Sequence, residues 1–590
     1  MDAILHESTI HRRRERLNKM TAGLELGDVY NSTIERIKEQ DGDKSRLGMA
    51  ALMWINHAER PLRVDELCHA LAVELGSTDF SAGNIPSVST LVSSCQGLIT
   101  VDKEAATVRL IHFTLQEYFS AHLDIFSEPH SAIAETCLTY LNSQQVKGLS
   151  TDSLAGTENA PFIEYCSVYW GVHAKRELSD RARSLALELL KGHYGRIPTK
   201  LLLTQVKRFH SWRFDTCSTF SGLHCASFFG IVEVVAGLIE AGCYDINEED
   251  FSGCTPLSWA GRNGHEEVMK ILLERGEVNP DKADKRGRTP LSYAAANCGN
   301  EGAVKMLLGR EVINPDRPDI DGKTPLSHAA LGGQEGVVKI LLEREDVNPG
   351  KPDNSGQTPL SYAARNGHEG VVEILLERKE VGADEPGNDG QTPLSYAAWN
   401  GHEGVVKTLL GRREVRADRP DNDGQTPLLY AAWSGYEGVV RILLRREEVN
   451  ADKPDKFGRT PLSYAAWDGH ERVVRMLLGW GEVNADKPDN YGQTPLSYAA
   501  WNGHGAVVRT LLGWGEVNAD KPDNDCRTPL SYAAWNGHEG VVRILLSRED
   551  VNADKPDKFG RTPLYFASER GHKRVVALLQ SRKAVAPSTI

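Results

Sequence analysis

Several hallmarks of membrane, secreted and metal-binding proteins are missing from this sequence. There is no run of 18 apolar residues, and the N-terminus lacks the apolar segment of a signal peptide. The ten cysteines are scattered and form no Cys-x-x-Cys pair, which predicts buried thiols in a reducing compartment. We therefore expect a soluble protein of the cytoplasm that meets no membrane. The nucleus is the alternative, because Arg12-Arg13-Arg14-Glu15-Arg16 is either a nuclear import signal or a solvated helix face.

Enzyme signatures are missing too. A phosphate-binding loop has the pattern Gly-x-x-x-x-Gly-Lys-Ser/Thr, but the Gly-Lys-Thr triplet at Gly322 has Arg317 where the first glycine belongs. The recurring His-Glu pairs lack the second histidine that a zinc protease places one helical turn later, and no Gly-x-Ser-x-Gly elbow occurs. The sequence thus predicts a protein that is not an enzyme and that holds no cofactor, metal or nucleotide.

The charge balance disfavours nucleic acid as the main partner. The net charge is −13, with 24 basic and 27 acidic residues in 1–215 and 44 basic and 54 acidic residues in 216–590. A mildly acidic surface does not attract a phosphate backbone, so we expect the partner to be a protein.

A Thr-Pro-Leu triplet recurs ten times and divides most of the chain into units. The step between successive triplets is constant, apart from one step that is longer by a single residue. A fixed period of this length is typical of a solenoid of stacked supersecondary units. The triplets begin at Thr255, Thr289, Thr324, Thr358, Thr392, Thr426, Thr460, Thr494, Thr528 and Thr562.

Each unit predicts two helices and an extended turn. Thr392 suits an N-cap, and Pro393 suits the first helical position because its missing N–H costs nothing there. Gly401 follows the end of this helix, and the apolar residues from Val405 to Leu410 have the spacing of a second one. Such a unit cannot bury its apolar face alone and must stack on copies of itself.

The unit resembles the ankyrin repeat. The Thr-Pro-Leu-His and Gly-His-x-x-Val-Val signatures of that family appear here as Thr-Pro-Leu-Ser and Gly-His-Glu-Gly-Val-Val. A degenerate unit at Ser221 precedes the first triplet by one full period, which gives eleven repeats over residues 216–582. Of the histidines that link the helices in the family, only His224 is kept. The resemblance implies a mostly α-helical solenoid that binds proteins through its concave face.

The region before the repeats predicts a winged helix. Apolar spacing predicts helices over Leu47–Ile55, Val64–Leu75 and Pro86–Cys95. Gly97–Asp102 and Thr107–His112 flank a turn and predict a β-hairpin. The third helix contains no Lys or Arg, so we expect it to pack against the domain rather than to read DNA.

This region resembles the winged-helix domain that follows the nucleotide-binding NACHT domain in fungal signal-transduction NTPases with ankyrin repeats. The resemblance is carried by Trp54–Leu62, Glu66–Val73, Cys95–Leu98 and Arg109–Tyr118, and Ile34–Ile37 is similar to the last NACHT helix. The implied division is a helical NACHT remnant at 1–45, the winged helix at 46–122, a helical connector at 123–215, the solenoid at 216–582 and a tail at 583–590. We expect a flexible loop in the connector near Gly148–Ala160.

Most positions are nearly the same in every repeat, but the residue after Ala-Ala in the first helix differs between repeats. In ankyrin proteins this helix end faces the concave groove, so five successive tryptophans predict an aromatic ladder with rungs about 10 Å apart. Trp480 and Trp514, near the ends of second helices, are expected nearby. The tryptophans either bind a partner or pack flat on the next repeat. The successive occupants are Arg262, Ala296, Leu331, Arg365, Trp399, Trp433, Trp467, Trp501, Trp535 and Glu569.

We interpret the chain as a non-enzymatic scaffold that binds a protein partner through the concave face. Arg365, the five tryptophans, Trp480 and Trp514 are the candidate binding residues. The alternative is the sensor part of a fungal NACHT signalling NTPase, acting in nonself recognition or programmed cell death, whose nucleotide-binding domain lies upstream of this chain. The abrupt start of the sequence favours this alternative. A DNA-binding regulator is disfavoured by the uncharged third helix.

Overall fold

A computed structural model describes residues 26–77, 80–102, 104–149, 160–191, 201–202, 219–297, 299–515 and 517–585. The chain divides into two compact units, Met1–Lys285 and Arg286–Ile590, which are described separately. Helices dominate, and the sheet in the described residues has two strands. The mostly α-helical fold class is therefore confirmed.

In the described residues, the first unit begins with the helix α1 (Leu26–Lys38), and the winged helix follows. The β1–β2 hairpin pairs Ile99 with Leu110 in antiparallel register, as the sequence predicts. The second predicted helix is too long by one turn, because it ends at Leu71 and Leu75 is 53% exposed. Residues 1–25, which include the basic Arg12–Arg16 segment, lie outside the described residues. The elements are α1 (Leu26–Lys38), α2 (Gly42–His57), α3 (Val64–Leu71), α4 (Val88–Ser94), β1 (Ile99–Asp102), β2 (Thr107–Leu110) and α5 (Phe113–Ala121).

In the described part of the connector, the structure gives the bounds of four α-helices. They are α6 (Pro129–Asn142), α7 (Gln144–Lys147), α8 (Ile163–Arg176) and α9 (Asp180–Lys191). Its core is largely aromatic, since Phe162, Tyr165, Cys166 and Trp170 are fully buried. Most of the loop that we expect to be flexible, near Gly148–Ala160, lies outside the described residues.

Two repeats complete the first unit. Their helices are α10 (Gly222–Phe229), α11 (Val232–Glu240), α12 (Pro256–Arg262) and α13 (Glu266–Leu273). His224 is fully buried, and its Nε2 donates to the carbonyls of Glu248 and Cys254 at 3.0 and 3.1 Å. This is the linking bond that the ankyrin family obtains from histidine.

The second unit consists of helix pairs of nearly constant length. The prolines and apolar residues of the first helices and the Val-Val and Leu-Leu pairs of the second helices form its core. Its helices are α14 (Pro290–Ala296), α15 (Glu301–Leu308), α16 (Pro325–Gly332), α17 (Glu335–Leu342), α18 (Pro359–Asn366), α19 (Glu369–Leu376), α20 (Pro393–Trp399), α21 (Glu403–Leu410), α22 (Pro427–Ser434), α23 (Glu437–Leu444), α24 (Pro461–Asp468), α25 (Glu471–Leu478), α26 (Pro495–Trp501), α27 (Gly505–Leu512), α28 (Pro529–Trp535), α29 (Glu539–Leu546), α30 (Pro563–Glu569) and α31 (Lys573–Val585).

The threonine of each triplet caps the first helix, as predicted. Thr494 Oγ1 accepts from the backbone N–H of Ser497 at 3.3 Å, and the two hydroxyl groups lie 3.1 Å apart. The serine that replaces the family histidine is thus bonded to the cap of its own helix. His224 is also bonded to the cap of its own helix, through Nδ1 and Ser221 Oγ at 2.8 Å, and makes the linking bond in addition.

An aspartate five residues before each threonine fixes the turn between repeats. Asp489 Oδ1 accepts from the backbone N–H groups of Tyr491 and Gln493, at 2.9 and 2.8 Å. A glycine with positive φ follows, because the chain must turn there next to the backbone of the following repeat. Two repeats depart from this pattern, with Gly387 in place of the aspartate and Cys526 in place of the glycine.

The eight cysteines in the described residues are free thiols, but they are not all buried as predicted. Cys243 and Cys526 are exposed, and six others in the described residues are buried. Over the same part of the chain, no helix is both long enough and apolar enough to cross a membrane.

Candidate functional site

The five tryptophans lie at equivalent places, and we call them the tryptophan row. Trp399, Trp501 and Trp535 are the last residues of α20, α26 and α28. Trp433 and Trp467 are the penultimate residues of α22 and α24. The row therefore follows the C-terminal ends of successive first helices.

Each tryptophan packs against the aromatic ring of the next repeat, stacked on it for Trp399 and Trp467 and tilted for the other three. The ring centroids are 4.7 Å apart for Trp399–Tyr430 and for Trp433–Tyr464, 4.8 Å for Trp467–Tyr498, 5.0 Å for Trp501–Tyr532 and 4.9 Å for Trp535–Phe566. Such contacts are worth about 0.5–1.5 kcal/mol each beyond burial. The predicted rung spacing of about 10 Å is wrong for the first pair, because Trp399 and Trp433 have centroids 6.0 Å apart.

Packing leaves a substantial part of the row open to solvent. Trp399 is 41% exposed and Trp501 is 40% exposed, while the other three are half-buried. The two interpretations drawn from the sequence are therefore compatible, since one ring face contacts the next repeat and the remainder faces water.

Histidines of the Gly-His motifs hold the backbone of the row. His470 Nε2 donates to the Trp433 carbonyl at 2.9 Å, and His504 Nε2 donates to that of Trp467 at 2.8 Å. Sequence reasoning treats these histidines as turn residues only, although they recur with the same period as the row. Tyr436 occupies the position of the histidine that would donate to the Trp399 carbonyl.

The tyrosines under the row are anchored by the turn aspartates. Tyr464 Oη donates to Asp455 Oδ2 at 2.8 Å, and Tyr498 and Tyr532 do the same to Asp489 and Asp523. Burial raises the pKa of Tyr464 to about 12, so its hydroxyl keeps its proton and stays a donor. Stacked rings with tied hydroxyl groups give the row a fixed base.

A cavity of about 240 Å³ opens between two members of the row. It is lined by Trp467, Gln493, Ser497, Tyr498, Trp501 and Tyr532. This volume is below the roughly 300–1,000 Å³ of typical small-molecule sites, so the cavity suits a single side chain.

The other candidate residues take different places. Arg365 is exposed at the end of α18, where its guanidinium carbon lies 5.9 Å from the Tyr396 ring centre. Trp480 and Trp514 follow the ends of α25 and α27, and they are 38% and 40% exposed. No ring contact joins these two to the row among the residues that the structure describes. They occupy the position at which Arg446 donates to the carbonyl of Leu410 in another repeat.

Comparison with known families agrees with this architecture. Residues 223–319, 295–385, 379–455, 445–525 and 515–587 match the family model described as ankyrin repeats (3 copies). The chain therefore belongs to the ankyrin-repeat proteins. Residues 35–128 match the model described as the winged helix domain of GPI inositol-deacylase. The suspected ankyrin protein with an N-terminal winged helix is thus confirmed. No curated protein matches the chain.

The tryptophan row is a series of partly exposed aromatic rings. Within the described ranges no three His, Cys, Asp or Glu side chains are grouped to hold a metal ion. The row instead presents large apolar rings with indole N–H donors, the type of surface that dominates protein–protein hot spots.

Proposed function

We propose that this chain is a non-enzymatic interaction protein that binds a protein partner through the tryptophan row, on the concave face of its ankyrin repeats. The observation that carries the proposal is that every row tryptophan is held against an aromatic ring of the next repeat, while Trp399 and Trp501 stay about 40% exposed. Fixed aromatic side chains lose little conformational entropy on binding, which favours affinity. The free thiols of the described cysteines fit a cytoplasmic location.

The test compares capture by the natural protein with capture by Trp433→Ala/Trp467→Ala/Trp501→Ala. Alanine is compatible with this position, because Ala296 occupies it in another repeat. Immobilised protein is incubated with an extract of the source cells, and bound proteins are quantified by mass spectrometry. We expect the triple variant to lose its partner while its helical circular dichroism signal is retained. Unchanged capture by the folded variant would refute the proposal.

Two further variants locate the contact surface. Trp480→Ala/Trp514→Ala removes the exposed tryptophans after the second helices, and Arg365→Ala removes the cation at the edge of the row. We propose that these positions contribute to the same contact, so each variant should weaken capture by less than the triple variant does. A loss in Trp480→Ala/Trp514→Ala that equals the loss in the triple variant would move the main contact to the second-helix ends.

A second candidate function is the sensor part of a NACHT signalling NTPase. The match of residues 35–128 to a winged-helix model beside ankyrin repeats favours it. In this function the nucleotide would bind to a domain outside this chain, and the repeats would sense the partner. Mapping the 5′ end of the endogenous transcript and the intact mass of its product tests this function. A product that contains Gly-x-x-x-x-Gly-Lys-Ser/Thr supports the NTPase, and a product that begins at Met1 supports the scaffold.

A further inference from the structure

The chain places one of its own arginines between two members of the tryptophan row. The Arg459 guanidinium carbon lies 5.1 Å from the Trp467 ring centre, 5.8 Å from that of Tyr498 and 6.0 Å from that of Tyr464. Its Nε donates to Tyr498 Oη at 3.0 Å. A guanidinium within about 6 Å of several ring faces is a cation–π arrangement. We call this space, between Trp433 and Trp467, the filled compartment.

The next compartment along the row is bounded by equivalent residues but is open. The residues equivalent to Tyr464, Trp467 and Tyr498, one repeat further along the chain, are Tyr498, Trp501 and Tyr532. All three of these equivalents line the cavity of about 240 Å³. The residue equivalent to Arg459 is Gln493, whose Nε2 donates to Tyr532 Oη at 2.8 Å. Glutamine is shorter than arginine and carries no charge, so Trp501 and Tyr532, the equivalents of Trp467 and Tyr498, receive no guanidinium from this position.

The side chains that fill other parts of the row explain why this compartment is open. Between Trp399 and Trp433 the small serine is replaced by the buried Leu429, and the two indoles lie against each other. At the far end of the row, Arg570 lies 4.7 Å from the Trp535 ring centre. Among the described residues, no cation of the chain lies over Trp501.

We propose that the open compartment, between Trp467 and Trp501, receives an arginine side chain of the partner protein. The inference rests on the proposed function and specifies the chemistry of the partner. The cavity has room for one side chain, and a planar guanidinium stacks on aromatic faces better than an ammonium does. The exposed Asp468 follows Trp467, and residues 216–590 carry 54 acidic against 44 basic residues, so a basic segment also matches the surface charge.

The experiment uses the full chain with 5-fluorotryptophan in place of tryptophan. Single Trp→Phe variants assign the ¹⁹F resonances. The probe is the peptide acetyl-Gly-Arg-Gly-Arg-Gly-amide, and its control is the same peptide with citrulline, which keeps the shape of arginine without the charge. We expect saturable shifts of the Trp467 and Trp501 resonances with the arginine peptide, and about tenfold weaker binding of the citrulline peptide. Equal binding of both peptides, or shifts spread over all tryptophans, would overturn the proposal.

A matched pair of variants tests the compartment itself. Gln493→Arg should place a guanidinium of the chain in the open compartment, as Arg459 does in the filled one, and abolish the shifts. Gln391→Arg is the control, because Gln391 makes the same bond to a tyrosine, Tyr430, at 2.6 Å in another repeat. It should leave peptide binding unchanged. Equal effects of the two variants would overturn the proposal.

The same variants separate this inference from the proposed function. If Trp433→Ala/Trp467→Ala/Trp501→Ala loses the partner and Gln493→Arg weakens its capture about tenfold, both are supported. If the triple variant loses the partner while Gln493→Arg captures it normally, the row binds protein but the arginine pocket is overturned. If neither variant changes capture, both are overturned.

Discussion

A histidine buried in the connector should make the first unit sensitive to acid. His173 on α8 is fully buried, and its Nδ1 and Nε2 lie 2.8 Å from His130 Nδ1 and 2.9 Å from Tyr165 Oη. Tyr165 Oη accepts from the Glu59 N–H at 3.1 Å. Its own proton is therefore available to His173 Nε2, and His173 Nδ1–H can donate to His130. This set of bonds is satisfied when His173 is neutral.

The size of this loss of stability in acid follows from the shift in the pKa of His173. Burial, with the nearby His130 and Arg176, lowers the pKa of His173 from 6.5 to about 3. Because the folded pKa lies below the unfolded value, the unfolded chain binds more protons between these limits. The contribution of neutral His173 to the free energy of unfolding is fully present above about pH 6.5 and is lost as the pH falls towards about 3. At pH 5 the loss is about 2 kcal/mol, and at pH 6 it is about 1 kcal/mol.

Hydrogen exchange with mass spectrometry, on peptides from α6 and α8 of the full chain, measures this effect locally. The protection free energy, corrected for the intrinsic exchange rate, should fall by about 2 kcal/mol between pH 8 and pH 5. His173→Gln should flatten that dependence. Ser167→Ala is the control, because it removes the buried bond from Ser167 Oγ to the Ile163 carbonyl, at 2.6 Å on the same helix, without removing a titrating group. Equal protection at both pH values, or an undiminished slope in His173→Gln, would refute the reasoning.

Three substitutions should stabilise the second unit, each measured as a shift of the urea or thermal unfolding midpoint. Cys526→Gly should add about 1 kcal/mol, because Cys526 holds a φ of 61° where other repeats have glycine; a lower midpoint would contradict this. Gly387→Asp should add about 1 kcal/mol by giving the turn its usual acceptor and by replacing the 3.1 Å bond that the Tyr396 hydroxyl now makes to Asp389, and an unchanged midpoint would count against it. Trp480→Arg should add about 1 kcal/mol through a bond to the Leu444 carbonyl, and no gain would show that the bond does not form.

Much of the fold could be predicted from sequence because its determinants are local. A Thr-Pro-Leu triplet caps and starts a helix wherever it stands, and the constant period of the triplets then requires stacking. The winged helix was predictable from apolar spacing and from a turn between two β-rich segments. The exception is the end of α3, where Leu75 continues the apolar pattern but lies in solvent. Periodicity predicts which residues can share a face, but it does not show where the helix stops.

The candidate site was only partly predictable. Comparing repeats identifies the variable position that holds Trp399 and its equivalents, because variation within a repeating frame marks residues that stacking does not require. The contacts of those residues depend on the next repeat, as the stacking of Trp399 on Tyr430 shows. The bond from His504 to the Trp467 carbonyl likewise joins two different repeats. Such partners become visible only when the register between repeats is known.

The chemistry of the row depends on a second variable position, the residue just before each threonine. Stacking gives every compartment similar walls. What a compartment contains therefore depends on whether the residue before the threonine can reach the rings and carry charge. Arg459 does both, whereas Gln493 reaches only the Tyr532 hydroxyl and carries no charge. Two positions in each repeat, the residue before the threonine and the residue after Ala-Ala, can therefore change what the row binds while the capping and stacking contacts stay the same. If this is correct, exchanging the residues at 459 and 493, as Arg459→Gln/Gln493→Arg, should move arginine-peptide binding from Trp501 to the compartment between Trp433 and Trp467.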